Sequence, residues 1–143
     1  MSFQAVRRVF EEPVINALAA LTPPVTCYVA NQEWTNAEFG GEYAVVDLQW
    51  GQTNVQTLGI TLENLQGSLV VEAYTDKNAG PGRAQEIITP VRRALNDLNT
   101  CGCNPGTGAV GFVGQITGPA FIALDDQPFF LVRISVEISA QYN

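Results

Sequence analysis

Few side chains in this sequence have the types and spacing that catalysis or metal binding requires. The 143 residues include no histidine, the side chain that most often acts as a general base or metal ligand at neutral pH. Cys101 and Cys103, together with Cys27, could offer three thiolates to zinc, but a closed zinc site needs four ligands and usually a C-x-x-C spacing. We therefore expect free thiols and no metal ligand.

A glycine-rich segment, Gly80-Pro81-Gly82, precedes Arg83 at the junction of a predicted strand and a predicted helix. Backbone N–H groups at the start of a helix attract anions, so phosphate-binding loops occur in such places. The spacing here matches neither the P-loop nor the dinucleotide-binding pattern. We expect a plain turn, and a small-molecule-binding or enzymatic domain that uses the loop from Gly80 to Arg83 remains an alternative.

Paired carboxylates and aromatic residues are also interpreted as structural. Glu11-Glu12 and Asp125-Asp126 are expected on a solvated helix face and in a turn. Five aromatic residues are expected in the core or in subunit contacts: Trp34, Phe39, Trp50, Phe129 and Phe130. The sequence thus predicts no catalytic, cofactor-binding or metal-binding residue, and a protein that is not an enzyme.

Length and charge narrow the class of protein further. A chain of 143 residues is expected to form a single domain, residues 1–143, with its own core. The formal net charge of −7 disfavours stable binding to nucleic acid or to an anionic membrane. Val14 to Leu21 is too short and too close to Glu12 to be a signal peptide or anchor. An odd number of cysteines fits a reducing cytoplasm.

Two amphipathic helices are predicted from apolar residues spaced three and four apart. The first runs from Phe3 to Leu21, where Pro13 should cause a kink or a restart of the helix. The second runs from Arg83 to Leu98 and contains Pro90. Its apolar stripe comprises Ala84, Ile87, Ile88, Val91, Leu95 and Leu98.

Strands are predicted from alternation of apolar and polar residues. They cover Val25 to Gln32, Glu42 to Trp50, Leu69 to Tyr74, Val110 to Thr117 and Phe129 to Gln141, with Gly118-Pro119 as a breaker. The segment Gln52 to Gln66 fits either a hairpin arm or a long loop. Together these elements predict an α+β fold: a mostly antiparallel sheet with two helices packed on one face.

The order of elements and several short segments resemble the tail terminator proteins of long-tailed bacteriophages, the family of lambda's minor tail protein. The resemblance extends over nearly the whole chain. It rests on the strand ending near Val29-Ala30-Asn31, on Gly67-Ser68-Leu69-Val70-Val71-Glu72-Ala73-Tyr74, on the Gly80-x-Gly82 turn and on Gln127-Pro128-Phe129-Phe130-Leu131-Val132.

The resemblance implies a structural virion protein. Six copies would form a ring at the head-proximal end of the tail tube, terminate tube polymerisation and join the tail to the head connector. The implied partners are other copies of the chain, the tail tube protein, a connector or neck protein, and a sheath protein if the tail is contractile. Assembly would take place in the host cytoplasm, and no membrane is involved. A different neck or baseplate ring protein is the alternative within this class.

Such a ring would let DNA pass through its lumen without binding it stably. Negative walls repel phosphate over about 8 to 10 Å, roughly a Debye length. We therefore hypothesise that some of Glu33, Glu38, Glu42, Asp47, Glu63 and Glu72 line the lumen. The basic residues Arg7, Arg8, Arg92, Arg93 and Arg133 are expected to lie away from it, in subunit or ring contacts.

Overall fold

The computed structural model describes residues 3–22, 24–29, 42–57, 61–76, 80–101, 109–123 and 129–142. These ranges contain two helices, α1 (Phe3–Ala19) and α2 (Gly80–Cys101). They also contain five strands: β1 (Thr26–Val29), β2 (Tyr43–Thr57), β3 (Thr61–Asp76), β4 (Ala109–Ala123) and β5 (Phe129–Tyr142). The elements follow one another as α1, β1, β2, β3, α2, β4, β5.

The strands form one sheet in the order β1-β2-β3-β5-β4. All neighbouring strands are antiparallel except β1 and β2, which pair in parallel from Thr26↔Tyr43 to Val29↔Val46. β3 lies in the middle, between β2 and β5. The predicted α+β fold with a mostly antiparallel sheet is therefore confirmed.

Both helices pack on the same face of this sheet, and the core lies between the two layers. Alternate residues of the strands project into it, as the period of two requires. The predicted stripe of α2 is buried throughout, and α1 contributes Val9, Phe10, Val14 and Leu18. The strands contribute Ala44, Val46, Leu65, Leu69, Val71, Ala73, Val132, Ile134, Val136, Ile138 and Ala140.

The segment from 52 to 66 belongs to a β-hairpin and not to a long loop. β2 and β3 remain paired from Gln52↔Gln66 to Thr57↔Thr61. β5 pairs with β3 as far as Glu63↔Tyr142. The pairing register shifts between Trp50 and Gln52, which is the mark of a β-bulge at Gly51. Most of this hairpin is thus an extension of the sheet.

Proline and glycine interrupt the helices less than their propensities predict. α1 runs continuously through Pro13, so of the two predicted outcomes, a kink or a restart, the restart is wrong and the kink stays a prediction. Burial of the stripe on both sides of Pro13 stabilises the helix more than one lost hydrogen bond destabilises it. Gly80-Pro81-Gly82 forms the first turn of α2 and not a separate turn, because the first N–H groups of a helix have no intrahelical partner and proline there loses nothing.

The predicted break at Gly118-Pro119 is also wrong, since β4 continues to Ala123. The pairing of β4 with β5 shifts between Val113 and Ile116 and again between Thr117 and Ala120. Gly118 adopts a φ of 109° at the second shift. An edge strand tolerates proline at a bulge because the missing N–H need not pair with a neighbour.

Candidate assembly surface

The face of the sheet opposite the helices presents polar side chains from three neighbouring strands. We call it the outer face and define it by three cross-strand rows from β2, β3 and β5: Val45, Glu72 and Arg133; Asp47, Val70 and Ser135; Gln49, Ser68 and Glu137. All nine side chains are at least partly exposed. Their direction follows from the core residues that alternate with them. The outer face is therefore open to a partner along three strands.

Glu72 is the centre of a small polar network on the outer face. Its carboxylate lies 3.4 Å from the Arg133 guanidinium, and the side chains of Arg133 and Glu72 are 43% and 26% exposed. The Tyr74 hydroxyl donates a hydrogen bond of 2.9 Å to Glu72 Oε2. An exposed ion pair of this kind contributes about 0 to 1 kcal/mol. Its main effect here is to place the Arg133 cation beside Glu72 on the outer face.

A row of aromatic residues adjoins the network at one end of the sheet. The Tyr43 and Tyr74 rings stack with centroids 4.5 Å apart and an interplanar angle of 9°, and Tyr28 packs edge-on against Tyr43 at 6.3 Å. Burial, followed by the hydrogen bond to Glu72, raises the pKa of Tyr74. Burial and the charge of Glu72 also raise the pKa of Tyr43. Both side chains therefore remain phenols that can donate hydrogen bonds.

The glycine-rich segment borders an open groove between the end of α1 and the first half of α2. This groove has a volume of about 730 Å³ and is lined by Leu21, Thr22, Gly82, Arg83, Glu86 and Pro90, among others. A separate cavity of about 450 Å³ lies over the sheet, beside Gly114 and Glu137. A small molecule that used the loop from Gly80 to Arg83 would bind in this groove.

Arg83 itself is already engaged by two carboxylates. Its Nε donates to both carboxylate oxygens of Glu42 at 2.8 and 2.9 Å, and its Nη1 lies 3.2 Å from Glu86. The hydrogen bond to Glu42 raises the pKa of Arg83. A phosphate would have to compete with Glu42 and Glu86 for this guanidinium. The geometry therefore fits a clamp between α2 and the start of β2 better than an anion site. No local sequence motif predicts this contact, because the two residues are 41 positions apart.

Cys27 is a free thiol on the core side of β1. Burial, with a smaller contribution from the charge of Glu11, raises its pKa from 9.0 to about 12. Within the described ranges, no three cysteine, aspartate or glutamate side chains are grouped so that they could hold a metal ion. The side chain of Cys101 and all of Cys103 lie outside the described residues.

One of the paired carboxylates occupies a different environment from the one predicted. Glu11 is only 8% exposed and accepts hydrogen bonds of 2.9 and 3.1 Å from Arg7. The expectation of a solvated Glu11 is therefore wrong, because the ion pair one turn away compensates its burial. Glu12 is exposed as predicted. Asp125 and Asp126 lie outside the described residues.

Two of the five aromatic residues predicted to lie in the core or in subunit contacts, Trp50 and Phe130, have side chains that the structure describes. Trp50 packs edge-on against Phe10 at 6.1 Å beneath the sheet, and its buried Nε1 has no hydrogen-bond partner among the described residues. Phe130 stacks on Phe121 at 6.0 Å, and Phe121 is 39% exposed. Trp34, Phe39 and the side chain of Phe129 lie outside the described residues.

The six acids proposed for a lumen do not form one group. Asp47 and Glu72 share the outer face, whereas Glu42 is held by Arg83. Arg133 lies beside Glu72, so these two residues cannot be separated into a channel wall and a distant contact. Glu33, Glu38 and the side chain of Glu63 lie outside the described residues.

Comparisons with known proteins establish similarity of fold and nothing more specific. No protein-family model matches the sequence. No curated protein matches it either. Among 32 matching chains of known structure, one known only by a sequence identifier is 19% identical and has a TM-score of 0.67 over 100% of this chain and 98% of its own. Neither helix, over its described residues, is long and apolar enough to cross a membrane.

Proposed function

We propose that this chain is a structural protein of a long-tailed bacteriophage virion. Six copies form a ring at the head-proximal end of the tail tube, where the ring stops the addition of tube subunits and joins the tail to the head connector. The protein acts through its surfaces and carries out no catalysis. DNA passes through the ring without stable binding.

The observation that supports this proposal is the arrangement of the layers in the described ranges of the chain. A helix, three strands, a second helix and two strands follow in the order on which the resemblance to tail terminators rests. Both helices occupy one side of the sheet, so the outer face and the β2–β3 hairpin are available to neighbours. A subunit with two different opposed surfaces suits a closed ring, in which each copy contacts one neighbour with each surface.

The decisive experiment removes the gene from the phage that encodes this chain. Without a terminator, tube polymerisation should run past its normal length, and heads should accumulate without tails. A plasmid copy of the gene should restore normal particles. Tails of normal length attached to heads in the deletion strain would refute the proposal.

Imaging of complete particles separates the alternatives in the same class. A ring of this protein at the distal end of the tail would indicate a baseplate component, and a ring next to the portal would indicate another neck protein. The groove beside Arg83 supports the alternative of a small-molecule-binding domain. That alternative predicts a monomer whose ligand affinity falls when Arg83 is replaced, and binding screens on the purified protein test it directly.

A further inference from the structure

We draw no further inference here: the strongest candidate, the outer face of the sheet around Asp47, Val70 and Glu137, carries none because nothing in the described residues shows what covers it.

Discussion

Arg83 joins α2 to Glu42, the residue directly before β2, by charge-assisted contacts. The side chains of Arg83 and Glu42 are 14% and 20% exposed, so the pair is largely shielded from water. Hydrogen bonds to charged groups contribute more than neutral ones, and a partner left alone in a shielded site is costly. At the scale of residues, this pair is the clearest polar link between the two layers.

Replacement of Arg83 by methionine should therefore lower the free energy of unfolding by about 1 to 3 kcal/mol. Arg93→Met is the matched control, because Arg93 is exposed on the same helix and has no ion pair within the described residues, so its effect should stay within about 0.5 kcal/mol. Urea unfolding of both variants measures the difference. Equal effects of the two substitutions would show that the Glu42 contact does not stabilise the fold.

Two glycines offer a second contrast at the same scale. A Cβ at Gly67 would overlap the Gln49 carbonyl and lie 2.9 Å from Cε3 of Trp50, whereas a Cβ at Gly82 would meet nothing within 4 Å. Gly67→Ala should thus destabilise the protein by about 1 to 3 kcal/mol. Gly82→Ala should be neutral or stabilise it by up to about 1 kcal/mol, because alanine favours a helix. Thermal unfolding of the pair checks the prediction, and the reverse ranking would contradict the close approach at Gly67.

At the scale of elements, the sheet has a protected centre and two unlike edges. β3 pairs along most of its length with both β2 and β5. β4 has two shifts in pairing and, within the described residues, one partner strand. Bulges at an edge discourage further strand pairing. The edge formed by β4 is thus poorly shaped for extending the sheet into a neighbouring copy.

Hydrogen exchange should follow this arrangement. Amides of β3 between Leu69 and Ala73 should exchange about tenfold or more slowly than those of β4 between Gly114 and Ala120, since edge strands open locally at lower free energy than central ones. Residue-resolved exchange by NMR provides the measurement. Equally slow amide exchange in β4 and β3 would contradict this prediction. It would indicate that the edge of β4 is covered by a contact that the described residues do not include.

At the scale of the whole molecule, stability should decrease in alkaline solution. Cys27, Tyr43 and Tyr74 all have raised pKa values in the folded protein. Above pH 9 the unfolded chain loses these protons first, so it binds fewer protons than the folded chain, and its free energy falls relative to that of the folded chain as pH rises. Stability from these groups is complete below pH 9 and declines as pH rises toward the folded pKa values.

The Cys27 contribution can be isolated by comparing the native chain with Cys27→Ala. With a pKa of 9.0 rising to about 12, Cys27 should account for a loss of about 2 kcal/mol between pH 8 and 11. The difference in unfolding free energy between the two chains should therefore shrink over this range. A difference that is constant with pH would mean that the Cys27 thiol is not shielded.

The sequence determined the elements whose hydrophobic period is long and regular. α2 and β5 were predictable because one face of each is apolar throughout, and shifting either by a residue would expose that face. The negative net charge and the absence of histidine also follow directly from the sequence. The sequence also limited 52–66 to two possibilities, but a polar segment without a strong period carries too little information to choose between them.

Tertiary structure decided the features that depend on distant partners. Packing against the sheet keeps α1 continuous through Pro13, and pairing with β5 carries β4 past Gly118-Pro119, although local propensity predicts interruptions at both places. The burial of Glu11, the clamp between Arg83 and Glu42, and the joining of Glu72 to Arg133 arise in the same way. Local sequence sets what each segment can form, and burial against other segments selects among those forms because it supplies most of the free energy of folding.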